Sequence, residues 1–81
     1  MTKRGIKVPI AKRAVVARID RKLKHDGRML KTLRGYKAQR DLGDYYVVDL
    51  DRNMIIETHV DPEAYGREIG VLEEWEVLSD D

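Results

Sequence analysis

Charge in this chain is sorted along the sequence, and any compact fold has to accommodate that. Residues 1–40 carry 14 of the 16 Lys and Arg and only two acids, Asp20 and Asp26, a formal balance of +12. Residues 41–81 carry the other two bases, Arg52 and Arg67, against 13 acids, a balance of −11. The net charge of +1 therefore hides a dipolar chain. Such asymmetry points either to an arm that binds a polyanion or to two halves that attract each other. With 38% of residues charged, core positions are confined to the few places where apolar residues recur with a regular period.

The chain has 81 residues, enough for one domain with a small core. The only aromatics are Trp75 and four tyrosines, Tyr36, Tyr45, Tyr46 and Tyr65, so these are expected to supply much of the bulky packing. Cysteine is absent, which excludes disulfides and thiolate chemistry and suits a reducing cytoplasm. No apolar run approaches the roughly 20 residues that span a bilayer, and Val8–Ile10 is too short for a secretory signal. The expectation is a cytoplasmic protein with no membrane partner.

Residues 1–8 read as a flexible basic N-terminus, 9–78 as a single α+β domain and 79–81 as an acidic tail. Pro9 suits the first turn of a helix, which continues from Ile10 to His25. Val15, Val16, Ile19 and Leu23 share one face of it, with Arg13, Arg18, Arg21 and Lys24 around the rest, and Gly27 marks its end. Residues 28–34 are expected to form a short helix and 35–44 a loop closing in a Leu42-Gly43-Asp44 turn. Tyr45–Leu50 and Met54–Val60 alternate like strands, and Asn53 can take the left-handed backbone of the hairpin between them. One hairpin face would carry Tyr46, Val48, Leu50, Ile56, Thr58 and Val60; the other would carry Tyr45, Val47, Ile55, Glu57 and His59. Asp61 can cap a second helix, with Pro62 in its first turn and a stop at Gly70. The fold expected is a small α+β domain, with the basic helix and this second helix packed on a β-hairpin. Two variants stay open: a winged-helix-like arrangement, and helix–three strands–helix, the order of a double-stranded-RNA-binding domain. A lone hairpin is marginal, so a third strand would come from 28–40 or from a second chain. The open hairpin edge could be met by a second copy in a homodimer, or be covered by a helix and blunted by Glu57 or Arg52.

Asp41-Leu42-Gly43-Asp44-Tyr45-Tyr46-Val47-Val48-Asp49, Thr58-His59-Val60-Asp61, Gly66-Arg67-Glu68-Ile69-Gly70-Val71-Leu72 and Trp75-Glu76 together resemble a family of short bacterial proteins often carried on plasmids, phages and integrated elements. The resemblance runs from the Arg13–Leu23 helix to Trp75. It implies a bacterial cytosolic setting and an accessory role, and it brings no catalytic residue.

The residues themselves offer two candidate surfaces. Arg13, Arg18, Arg21 and Lys24 on the helix, with Arg34, Lys37, Arg40 and a stacking Tyr36, could meet the phosphates of DNA or RNA. The plain alternative is a solvated face paired with the acidic half, and the +1 total favours that alternative. Around Trp75, the acids Glu73, Glu74 and Glu76 could dock another protein with the indole as anchor. Alternatively, Trp75 closes the tail onto the core. His59 and Asp61 can point to one side of a strand, but a metal needs more ligands, and no metal is expected. Asp44, Asp49 and Asp51 do not follow a calcium-loop pattern, and no phosphate loop is present. Ser79 is the only Ser. The chain is therefore read as a non-enzyme without cofactor: a nucleic-acid binder first, a protein-interaction module second.

Overall fold

The computed structural model describes residues 7–33 and 35–79, and for Tyr36, Ala38 and Gln39 the backbone alone. Arg34, the first six residues of the basic N-terminus and Asp80-Asp81 of the acidic tail lie outside the described residues.

The first helix forms where the apolar period placed it. Helix α1 (Lys12–His25) buries Val15, Ile19 and Leu23 and half-buries Val16. Its backbone turns out at Gly27, whose φ of +74° is left-handed and strains any residue with a Cβ. The next segment departs from expectation. Residues Arg28–Thr32 form a strand, β2, in place of a short helix. All five of its residues pair antiparallel with β3 (Tyr45–Asp49), from Arg28 opposite Asp49 to Thr32 opposite Tyr45. Leu30 is thereby buried against α1 while Met29 and Lys31 turn to the other face. Five residues show period 2 or period 3.6 too weakly to decide, and the available partner strand does.

Residues expected to be a loop form a second helix, α2 (Tyr36–Leu42), which ends at Gly43 with φ +83°. β3 then pairs antiparallel with β4 (Met54–Glu57), completing a sheet in the order β2-β3-β4. Asn53 takes φ +54° in the connecting turn, as expected of it. The Asp49 carboxylate shapes that turn by accepting hydrogen bonds from the Asp51 and Arg52 backbone N–H groups at 3.0 and 3.1 Å. The facing of the hairpin differs from expectation. Val47 is fully buried, but the register shifts between Val47 and Val48. Ile55 therefore stands opposite Val48 and leaves the Val47 side.

Helix α3 (Pro62–Glu68) starts at Pro62 and gives way to Gly70, φ +83°. Asp61 occupies its cap position without a side-chain cap hydrogen bond. α1 packs against both α3 and β2, so both helices lie on the Val47 face of the sheet. The order helix–three strands–helix is the one adopted, with α2 inserted, and residues 10–33 do not make the helical pair that a winged helix requires. A strand pair adds to it. β1 (Val8–Ile10) runs parallel to β5 (Glu76–Leu78), with Pro9 opposite Val77. Pro9 thus sits in a short strand and not in the helix; the partner that selects this, Val77, lies 68 residues further on.

The core is Val15, Ile19, Leu23, Leu30, Val47, Val60 and Leu72. It is wholly aliphatic. The aromatics do not carry it: Tyr45 and Tyr65 pack against it half-buried, and Trp75 stays 44% exposed. Each buried aliphatic side chain contributes about 1.5–3 kcal/mol of transfer free energy.

Candidate nucleic-acid interface

The basic residues of α1 fall into two rows. Arg13, Ala17, Arg21 and Lys24 are exposed along the ridge facing away from the sheet. Eight residues separate Arg13 from Arg21, about 12 Å along the axis. Lys24 Nζ is engaged by Asp20 Oδ2 one turn back, at 3.0 Å; such exposed pairs contribute about 0.3–0.5 kcal/mol. Beside the ridge, Arg18, Arg21, Lys22 and His25 line an open trough of about 420 Å³ together with Val71. Lys22 and His25 were missed as site residues. The spacing contained the signal, since 18, 21, 22 and 25 follow the i, i+3, i+4, i+7 rule of one helix face.

Arg18 is the one member tied into the fold. Its Nη1 donates to the Val71 carbonyl and to Glu76 Oε1, both at 3.1 Å. Arg21, Lys22, Arg13, Arg28, Lys31, Lys37 and Arg40 make no ion pair with another described residue. Lys37 and Arg40 sit exposed on α2, at the end of the sheet where α1 begins. The α2 backbone carries Tyr36 there as well, while Arg34 lies outside the described residues. Lys12 faces the other way, its Nζ 5.3 Å from the centre of the Tyr45 ring, within cation–π range.

The acidic residues around Trp75 divide similarly. Glu73 and Glu74 are exposed. Glu76 is turned inward, where its Oε1 accepts from the Glu73 backbone N–H at 2.9 Å as well as from Arg18. The Glu73 N–H, followed by Arg18, holds the Glu76 carboxyl below its ordinary pKa against the opposing effect of burial. Glu63 Oε2 accepts from the Leu78 N–H at 2.8 Å, and Arg67 Nη2 donates to the Glu76 carbonyl at 2.7 Å, so α3 grips β5. Arg67 and Glu63 also approach each other to 3.7 Å.

A second cleft, of about 390 Å³, is lined by Lys12, Asp44, Tyr45, His59 and Asp61 among others. His59 and Asp61 do come to one cleft. His59 has a left-handed backbone, φ +52°, and its Nε2 lies 3.1 Å from the Asp41 carbonyl oxygen. Its N–H donates to the Leu42 carbonyl at 2.7 Å. These contacts fasten the end of α2 to the strand exit. Among the described residues no three His, Cys, Asp or Glu side chains gather in a metal-holding group.

No helix among the described residues is long and apolar enough to cross a membrane. The chain matches no family model, no curated protein and no solved structure.

Proposed function

We propose that this chain is a non-enzymatic accessory protein that binds nucleic acid, DNA or RNA, through its basic N-terminal half. The observation that carries the reading is the α1 trough, where four basic side chains open onto one surface and a single one, Arg18, is held by an acid. The expected mutual neutralisation of the two halves is slight: Arg18–Glu76 is the one ion pair between them among the described residues. Arg13, Arg21 and Lys22 of α1, with Lys37 and Arg40 of α2, stay available to phosphates, while Lys24 is paired with Asp20 within the helix. Phosphate contacts of this kind give affinity without sequence choice. A duplex-RNA mode of the familiar kind is not favoured, because α3 opens with Asp61-Pro62-Glu63 where such a domain would present bases. A bacterial cytosolic setting fits the absence of Cys and the resemblance noted from the sequence.

The experiment is a mobility-shift series with duplex and single-stranded probes at low salt. Wild type is expected to shift both kinds at micromolar protein, with affinity falling steeply as salt rises. Arg21→Glu with Lys22→Glu is expected to abolish the shift with the circular dichroism spectrum unchanged. If the wild type shifts no probe, the reading ends.

A second reading has its own support. Trp75 is 44% exposed, with Glu73 and Glu74 exposed beside it. An indole with this much surface exposed offers an anchor for a protein partner with basic residues around a pocket. Capture of a partner abolished by Trp75→Ala and insensitive to nuclease would favour this reading.

A further inference from the structure

The three-stranded sheet has two edges, and the chain treats them differently. At β2 the edge is blunted from within, where Asp20 Oδ1 of α1 accepts a hydrogen bond from the Leu30 N–H at 3.1 Å. Arg28, Lys31 and Thr32 are exposed along the same strand. At β4 the protection is thinner: the one charge within the strand is Glu57, at its end. Among the described residues, no group outside the sheet hydrogen-bonds to the β4 backbone. The strand contains no Lys and no Pro. Its first three side chains are apolar and exposed, Met54 at 50%, Ile55 at 43% and Ile56 at 39%, and Leu50 before the turn is exposed at 49%. Four of the six large apolar side chains exposed among the described residues thus fall in Leu50–Ile56. An open edge of this composition is a template for another strand.

We infer that β4 is the pairing edge of a two-fold homodimer, in which two three-stranded sheets join into one of six strands. Charge selects the partner and its direction. Arg52 lies just before β4 and Glu57 ends it. Antiparallel pairing brings the Arg52 end of one copy beside the Glu57 end of the other and lays Met54–Ile56 against itself. Parallel pairing would stack Glu57 on Glu57. The acid next to Arg52 does not interfere, because the Asp51 carboxylate lies beside Gly27 on the β2 side of the sheet. Area sets the strength. The four exposed side chains amount to about two whole aliphatic residues, on the order of 350 Å² per copy, within the size of patch that monomers keep for function. A standard interface takes roughly 800 Å² from each partner, a little over half of it apolar, so this patch falls somewhat short. The dimer is therefore weak, dissociating in the micromolar range.

Sedimentation equilibrium from low micromolar to near-millimolar protein tests this, together with hydrogen exchange of the backbone amides. The mass is expected to rise from 9.4 kDa toward twice that value. Protection of the β4 amides should rise in step, while that of β2 stays constant. Ile55→Lys and, separately, Ile56→Lys should each weaken the dimer about tenfold or more by placing a charge on the edge. Val8→Lys, at an exposed apolar residue of the other sheet, should leave it unchanged. A 9.4 kDa species constant over the whole range overturns the inference. So does a dimer that survives both β4 variants, or one that Val8→Lys dissolves equally. A constant monomer whose β4 amides gain protection only from an added extended apolar peptide assigns the edge to a foreign strand and overturns it too. Should the β4 variants unfold, the concentration dependence of β4 protection in the wild type decides alone.

Discussion

Arg18 Nη1 lies 3.1 Å from Glu76 Oε1, and through this contact the basic helix holds the C-terminal strand. The same guanidinium donates to the Val71 carbonyl, so one side chain ties α1 to both the segment after α3 and β5. Arg18 is therefore a structural residue as well as a trough residue, and charge reversal there tests two properties at once. Arg18→Ala is expected to cost roughly 1–2 kcal/mol, the scale of a half-exposed hydrogen bond to a charged partner. Thermal unfolding should show it as a drop of about 4–8 °C per kcal/mol for a domain of this size. An Arg18→Ala protein with an unaltered melting temperature would show the clasp to be idle.

The Glu76 carboxyl titrates below its ordinary pKa of 4.5, chiefly because the Glu73 N–H donates to its charged form, with Arg18 adding to the effect. A carboxyl whose folded pKa is depressed contributes stability that is present above its unfolded pKa and is lost as pH falls through the folded value. Stability measured by denaturant is thus expected to decline on acidification below about pH 4.5. In Glu76→Gln that part of the decline should be missing, and the protein should be less stable than wild type at neutral pH. Parallel acid limbs for the two proteins would contradict the assignment.

Ile19 is fully buried at the centre of the α1 face. Ile19→Ala should destabilise the fold by about 2–5 kcal/mol, the range for truncating a buried branched side chain. Equilibrium urea unfolding with an unchanged slope measures it. A loss under about 0.5 kcal/mol would place Ile19 outside the core.

Gly43 and Gly70 share the same backbone angle, φ +83°, and differ in what surrounds them. A Cβ on Gly43 would stand 2.6 Å from the His59 Cα, a backbone atom that cannot step aside, whereas at Gly70 nothing lies within 4 Å. Gly70→Ala is expected to cost about 1–2 kcal/mol, the strain of a left-handed Ala. Gly43→Ala should cost clearly more, because it also forces α2 from the strand exit. Paired denaturation curves compare them, and equal losses would refute the close approach of Gly43 to His59.

What the sequence determined by itself is the set of elements whose signal is local. The run Val15, Val16, Ile19, Leu23 fixed the buried face of α1, since helical spacing admits one solution over fourteen residues. Gly27, Asn53 and Gly70 were legible as stops and turns because left-handed backbone suits few residue types. The basic character of the α1 surface was legible too, in Arg13, Arg18, Arg21 and Lys24, although Lys22 and His25 were missed beside them. Tertiary structure decided the rest. Arg28–Thr32 became a strand because β3 offered five pairing positions, and Pro9 entered a strand because Glu76–Leu78 lies beside it. The single base removed from the candidate surface by an acid of the other half, Arg18, was chosen by the packing of α1 against the segment after α3. Short segments carry too little periodicity to choose their own conformation, and hydrogen bonds between residues distant in sequence are worth more than the few tenths of a kcal/mol that separate local propensities.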